Sequence, residues 1–287
     1  MKRSQTSFWQ QIKSSRLIVK LSFIVIIIWV FTSLAAPLLA THDPSKTNPG
    51  EIFIRPFAKD SKGHLLGTDE VGRDVFSRLV YGSRISLLVA VIAGIISLLI
   101  GTSLGLIAGY FGGRVDSIIM RIVDVMLAFP FMFMALVFMV ALGSGLRNIV
   151  LVLGITGWVS YTRTIRAEVL SIRRREYVIS AEVIGCSSGR VIFRHILPNV
   201  IDHAIVIATM NMANTILSEA SLTFLGMGLP VSIPSWGQMI ATGRTYTYTA
   251  GWLTIIPGIA IFLVTLSINF IGDWLRDIRD PRLRGSQ

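Results

Sequence analysis

Acidic residues alternate with glycines in one short segment of this 287-residue chain, residues 67 to 74, and that composition would suit a metal or phosphate loop. Asp69 and Asp74 supply the carboxylates, and Gly67 and Gly72 are the glycines. The spacing fits neither the phosphate loop G-x-x-x-x-G-K-[ST] nor the calcium-binding EF-hand loop. We therefore interpret the segment as structural and expect no metal ion or nucleotide there.

Histidine and cysteine, which often ligate metals or act in catalysis, are few and scattered along the chain. Cys186 is the single cysteine, so no disulfide and no cysteine metal cluster is expected. The zinc-binding pattern H-E-x-x-H does not occur. We expect no catalytic residue, no cofactor and no metal ion, and interpret each histidine as structural: His42, His64, His195 and His203.

The composition indicates a membrane protein, since 52% of the residues are hydrophobic and 15% are charged. The mean hydropathy is +0.66. A membrane-spanning helix needs roughly 20 apolar residues. The charge-free runs predict an all-α integral membrane protein with six spans, or alternatively five. These runs are 21 to 41, 85 to 113, 125 to 146, 148 to 162, 204 to 218 and 245 to 272.

Two of these runs are too short to span a bilayer alone. The run 148 to 162 is expected to extend past Arg147 or Arg163, whose long side chains can reach the interface. The run 204 to 218 is expected to begin a few residues earlier. Residues 21 to 40 also resemble a cleavable signal peptide, but their length and the long arm before them favour an uncleaved anchor.

The net charge of +11 is distributed as in a membrane protein, so we expect no nucleic-acid partner. Basic residues cluster in the arm 1 to 20, in the loop 163 to 199 and in the tail 273 to 287. With six spans all three lie on one side, and the positive-inside rule makes that side cytoplasmic. Between arm and tail we expect the first span at 21 to 41, an extracytoplasmic loop at 42 to 84 with a short interfacial helix, and a core of five spans at 85 to 272.

Two features of the predicted spans concern helix packing. Gly101, Gly105 and Gly109 recur every fourth residue, so they lie on one helix face and allow a second helix to approach closely. Pro130 lies inside the predicted third span and is expected to kink it.

A polar segment rich in arginine, residues 173 to 199, lies between two apolar runs yet has the pattern of a folded element. Val178, Ala181 and Ile184 have helical spacing, which predicts a short amphipathic helix before Gly185. Gly185 is expected to end that helix or to admit a close backbone neighbour. A second helix is expected from about residue 188 to 196, capped by a serine and followed by Pro198.

This segment resembles the cytoplasmic coupling motif of inner-membrane permease subunits of binding-protein-dependent ABC importers. That motif reads Glu-Ala-Ala, three residues, Gly, nine residues, Ile-x-Leu-Pro. Ser180 and Ala181 match the alanines, Gly185 the glycine, and residues 196 to 198 the end. Ile179 replaces the usual Glu, and ten residues rather than nine separate the glycine from the closing Ile.

Other segments resemble the peptide and nickel branch of the same family, and within it the C-type subunit of dipeptide and oligopeptide systems. They are Gly-Thr-Asp-x-x-Gly-Arg-Asp at 67 to 74, the stretch 218 to 230, the Pro-x-Trp-Gly element at 234 to 237, and Arg-Asp-Pro-Arg-Leu-Arg at 279 to 284.

The resemblance implies the type I ABC importer permease fold and a non-catalytic transport subunit in a bacterial or archaeal cytoplasmic (inner) membrane. It implies as partners a second homologous permease subunit, two cytoplasmic ABC ATPases and an extracytoplasmic substrate-binding protein. Dipeptides or oligopeptides are the expected substrates, with nickel or glutathione as alternatives. A stand-alone secondary transporter is the alternative from another class. The residues that the resemblance assigns to ATPase coupling are Tyr177, Val178, Ser180, Ala181, Ile184, Gly185, His195, Leu197 and Pro198.

Polar residues inside the fifth predicted span are candidates for lining the pathway, because polar groups in hydrocarbon are costly unless they face protein or water. They are Asn211, Asn214 and Glu219. Hydrogen bonding between helices is the alternative for the two asparagines. A structural ion pair or an interfacial position is the alternative for Glu219.

Overall fold

A computed structural model of the chain describes residues 15 to 59 and 63 to 279. Most of the predicted basic arm and the tail motif beginning at Arg279 lie outside the described residues, apart from the backbone of Arg279. The part described is helical, and its one β pairing is an isolated bridge between Thr68 and Asp74. The helices are α1 Leu17–Leu34, α2 Ala36–Leu39, α3 Val75–Phe111, α4 Gly113–Ala128, α5 Phe131–Leu142, α6 Leu146–Thr156, α7 Trp158–Arg173, α8 Glu176–Val183, α9 Ser188–Val191, α10 Leu197–Phe224, α11 Trp236–Gly243 and α12 Trp252–Arg279.

Four helical segments in the described residues are long and apolar enough to cross a membrane. They are α1, α3, the continuous segment from α9 through α10, and α12. The pair α4 and α5 adds a fifth if its two bent halves count as one span. By length and composition the described residues therefore contain four or five candidate spans, which agrees with the predicted alternative of five rather than with six.

The difference from six arises at glycine and proline. The run 148 to 162 is divided at Gly157 into α6 and α7, and neither has the length of a span. Pro130 precedes α5, and α4 and α5 are bent by 90° at the break, far more than a kink. The expected interfacial helix after residue 74 is instead the first part of the 37-residue α3.

The chain divides into two compact units. The first comprises residues 1 to 87 and 231 to 287, as far as these are described. In it α1 packs along α12, where the Phe23 and Trp274 rings meet edge to face with centroids 5.4 Å apart. α11 packs against α12. The first apolar segment thus has a packing partner within its own unit.

The second unit comprises residues 88 to 230, and its centre is the close approach of α3 and α7. A Cβ added at Gly105 would lie 2.8 Å from Cβ of Ile165, and one added at Gly109 would lie 2.7 Å from Cβ of Val169. At Gly101 an added Cβ would overlap Tyr161. The predicted glycine face of α3 is confirmed as a helix-packing surface.

We predict that Gly105→Ala lowers the unfolding temperature of the detergent-purified chain, because the added methyl group forces α3 and α7 apart at a cost of about 1 to 3 kcal/mol. Gly94→Ala, on the same helix, is the control because nothing lies within 4 Å of its Cβ position. Alanine should there be neutral or stabilising by about 0.5 to 1 kcal/mol. Equal unfolding temperatures for the two variants would contradict a close approach at Gly105.

Candidate functional site

The predicted coupling segment forms α8, and one face of this helix is buried. Val178 and Ala181 join a hydrophobic cluster with residues of α3, α7 and α10. Burying such side chains contributes roughly 0.8 kcal/mol per methylene group. α8 is therefore fixed to the second unit by its own side chains. The other members of the cluster are Leu106, Tyr110, Ile165, Val169, Ile172, Val191, Ile192, Ile196, Val200 and Ala204.

Gly185 ends α8 in a Schellman motif. Its φ is +82°, a left-handed conformation that only glycine adopts without strain. The N–H of Cys186 donates to the carbonyl of Ala181, and the N–H of Gly185 donates to that of Glu182, both at 3.0 Å. Nothing lies within 4 Å of a Cβ built on Gly185. Of the two predicted roles, the described residues thus support ending the helix.

Other positions of this segment expose large apolar side chains. Val183 is 80% exposed, Ile184 is 78% exposed and Phe193 is 69% exposed. Tyr177 and Ile179 are also exposed. We call these five residues the coupling surface. A protein surface rarely exposes contiguous large apolar groups without a binding partner or lipid against them.

The chain after Gly185 forms one continuous helical segment that contains a π turn. α9 begins at Ser188 with Ser187 before it, and the Ser187 side chain makes no capping hydrogen bond. Residues Ile192–Ile196 are π-helical, and α10 follows directly with Pro198 in its first turn. The sequence predicted that Pro198 would separate the loop from the next span, and it does not. Pro198 lies in the first turn of α10, where a proline needs no hydrogen-bonded N–H.

The structure distributes the residues assigned to coupling over three environments. Val178 and Ala181 are buried, whereas Tyr177, Ser180, Ile184, Gly185 and Pro198 are exposed. His195 and Leu197 are half-buried. Ile184 lies past the end of α8, so the predicted buried face ends at Ala181.

Three residues of the coupling surface were missed from the sequence: Ile179, Val183 and Phe193. The sequence could have indicated them, because this segment also has apolar residues at positions that do not lie on the face formed by Val178 and Ala181. A helix with apolar residues on more than one face has more than one surface to cover.

A cavity of about 770 Å³ in the second unit is lined by α7, α10 and neighbouring helices. Most of its polar groups are hydroxyls and amides, and Arg163 is its one charged side chain among the described residues. The polar lining is Ser97, Thr156, Ser160, Tyr161, Arg163, Thr164, Asn211, Asn214, Thr215, Ser218 and Ser221.

Two of the three candidate pathway residues line this cavity. Asn211 lines the cavity, and its Nδ2 also donates to Oγ of Ser160 on α7 at 3.0 Å, which is the interhelical hydrogen bond of the alternative prediction. Asn214 also faces the cavity. Glu219 is buried and absent from the lining, and its Oε1 accepts a hydrogen bond from Thr223 at 3.0 Å.

A bidentate ion pair joins α4 to α7 near the coupling segment. Nε and Nη2 of Arg166 donate to the two carboxylate oxygens of Asp116. These hydrogen bonds raise the pKa of the Arg166 guanidinium, so this side chain stays charged. The pair fixes α4 beside the middle of α7.

Comparison with known proteins gives a consistent result. Residues 101 to 285 match the family described as binding-protein-dependent transport system inner membrane component. The chain is similar to the dipeptide transport system permease protein DppC of Alkalihalophilus pseudofirmus, with 40% identity over 96% of this chain and 89% of that protein. It is similar to the oligopeptide transport system permease protein OppC of Bacillus subtilis, with 37% identity over 91% of this chain and 84% of that one.

A solved structure has a similar fold. It is a chain of the MetNI methionine ABC transporter in an inward-facing conformation. The TM-score is 0.57 at 18% identity, and the match covers 71% of this chain and 97% of the other.

We predict that Gly185→Ala weakens the end of α8, because a left-handed residue with a side chain costs about 1 to 2 kcal/mol. Hydrogen exchange of the amides at 185 and 186 should become about fivefold faster or more. Gly189→Ala is the control, since Gly189 has space for a side chain and no positive φ. Unchanged exchange in Gly185→Ala would refute the cap.

Proposed function

This chain belongs to the family of binding-protein-dependent transport system inner membrane components, and on that premise we propose that it forms half of the translocation pathway of an ATP-driven importer of dipeptides or oligopeptides. It is a multi-pass membrane protein. The other half of the pathway is a second, homologous permease subunit. ATP is hydrolysed by two separate cytoplasmic ATPase subunits, and an extracytoplasmic binding protein delivers the substrate.

The observation that carries the proposal is the two-sided packing of α8. Its inner side is held in the hydrophobic cluster by Val178 and Ala181, and its outer side leaves Val183 and Ile184 exposed. An apolar outer surface on a helix outside the spans needs a protein partner rather than lipid. We assign the ATPase as that partner, with the coupling surface as its binding site.

Movement of the bound ATPase reaches the pathway through α10. The helical segment from Ser188 to Phe224 is continuous, beginning beside the coupling surface and carrying Asn211 and Asn214 at the cavity. When ATP closes the two ATPases, the two coupling helices of the permease pair move together. A rigid helix transmits this displacement, and the pathway changes from inward-facing to outward-facing.

The chemistry of the cavity supports a peptide substrate. A lining of hydroxyls and amides can exchange hydrogen bonds with peptide groups of any sequence, and a single Arg163 offers a partner for a carboxylate. The similar proteins from Alkalihalophilus pseudofirmus and Bacillus subtilis are named for dipeptide and oligopeptide transport.

Orientation follows from charge. The loop 163 to 199 and the tail carry many arginines. With an even number of spans, the positive-inside rule therefore assigns the coupling surface and both termini to the cytoplasm. The loop 42 to 74 is then extracytoplasmic. We assign the chain to a bacterial or archaeal cytoplasmic (inner) membrane.

The first test is affinity purification of the chain from native membranes in mild detergent, followed by mass spectrometry. We expect a homologous permease and two ATPases bearing the phosphate-loop motif. The double variant Val183→Asp, Ile184→Asp should lose at least 90% of the co-purified ATPase, because aspartate at the interface is costly to desolvate. A tenfold loss of affinity of this kind corresponds to about 1.4 kcal/mol of binding free energy.

Leu225→Asp is the matched control, because Leu225 is likewise an exposed apolar residue past the end of a helix. It should retain the ATPase. If the Val183 and Ile184 variant kept its ATPase, the coupling surface would be misassigned. Recovery of the wild-type chain alone, with solute transport in liposomes that needs no ATP, would refute the importer.

We also predict that Asn214→Leu lowers the rate of peptide uptake about tenfold without releasing the ATPase, because it replaces a hydrogen-bonding group of the cavity by an apolar one of similar size. Thr209→Val, on the same helix and outside the cavity lining, should leave uptake unchanged. Competition of labelled-peptide uptake by peptides, nickel and glutathione identifies the substrate class. Normal uptake by Asn214→Leu would remove this residue from the pathway.

A further inference from the structure

Two histidines and an aspartate that lie far apart in sequence meet in the first unit. His42, His64 and Asp74 each offer one ligand atom, and these three atoms lie within 4.8 Å of one another. Nδ1 of His64 is 2.8 Å from Oδ1 of Asp74, and Nδ1 of His42 is 3.9 Å from Oδ2 of the same carboxylate. We propose that this cluster binds a divalent transition-metal ion of the zinc type.

The donor set fits such an ion. Imidazole nitrogens together with a carboxylate are ligands that zinc, nickel and copper accept, whereas calcium and magnesium prefer oxygen alone. Zinc bonds to nitrogen and oxygen are about 2.0 to 2.2 Å, which places the ligand atoms of a tetrahedral site about 3.4 Å apart. The observed separations bracket this value, and the His42 side chain, 36% exposed, has room to adjust.

The two imidazole rings are already arranged side by side at one carboxylate. They stack with centroids 4.3 Å apart and planes 26° apart. A metal ion binds to neutral imidazole nitrogens, so both rings can hold one ion together with the carboxylate.

The surroundings supply the outer contacts that metal sites typically have. Oε2 of Glu51 lies 3.2 Å from Nε2 of His64, the ring nitrogen on the far side from Asp74. A metal-ligating histidine usually donates its second N–H to a carboxylate, which fixes the tautomer and the ring orientation. Asp74 is in turn fixed, since its Oδ2 accepts hydrogen bonds from the Ser77 N–H at 2.7 Å and the Thr41 hydroxyl at 3.2 Å.

A bound ion would connect three parts of the polar loop: its start at His42, its middle at His64 and its end at Asp74, directly before α3. The loop would thereby be tied to a helix that is already capped by the same carboxylate. The inference does not depend on what the chain transports, and its failure would leave the proposed function intact.

The test is zinc titration of the full chain, purified in detergent with a histidine-free affinity tag and stripped with EDTA, in competition with a fluorescent zinc chelator. We expect about one zinc ion per chain and a higher unfolding temperature with zinc. His42→Gln should weaken zinc binding about tenfold or more, because it removes a ligand while keeping a polar side chain of similar size.

His42→Cys in a Cys186→Ser background is the rescue variant, because a thiolate ligates zinc but does not reproduce the hydrogen bonds of imidazole. It should bind zinc within about tenfold of wild type. His203→Gln, in the other unit, is the control for non-specific histidine binding and should bind like wild type. Equal zinc binding by wild type and His42→Gln, or failure of the cysteine to restore it, would overturn the proposal.

Discussion

The second unit depends on the absence of side chains at Gly101, Gly105 and Gly109. Because these residues have no Cβ, the α3 backbone lies directly against α7. Leu106 and Tyr110 of α3 and Ile165 and Val169 of α7 then form one wall of the hydrophobic cluster, and α8 packs onto that wall. The position of the coupling surface is thus a consequence of helix packing several turns away.

Because α7 packs so closely against α3, two different sides of this helix make contacts that shape the second unit. One side approaches α3, and residues between those contacts, such as Ser160 and Arg163, line the cavity together with α10. A side chain added to the glycine face would therefore displace the cavity wall and the base of α8 together. Helix packing, the cavity wall and the position of α8 therefore cannot be altered independently along this helix.

Local rules made part of this structure predictable. The every-fourth-residue glycines specify a packing face, and glycine before a polar residue specifies the end of α8. The predictions that were wrong concern features that depend on contacts between residues far apart in the sequence. The 90° bend after Ala128 and the division at Gly157 are set by tertiary packing, which a charge-free run does not record. His42 and His64 looked unrelated because the fold of a long polar loop, not their spacing, brings them to Asp74.

The π turn at Ile192–Ile196 bears on how this region tolerates changes in length. A π turn holds one residue more between bonded groups than an α turn does. It can therefore absorb a single inserted residue without rotating the helix that follows. A residue inserted between Gly185 and Ile196 and absorbed in this way would leave Asn211 and Asn214 facing the cavity. The length of the segment before α10 can therefore vary while the cavity keeps its lining.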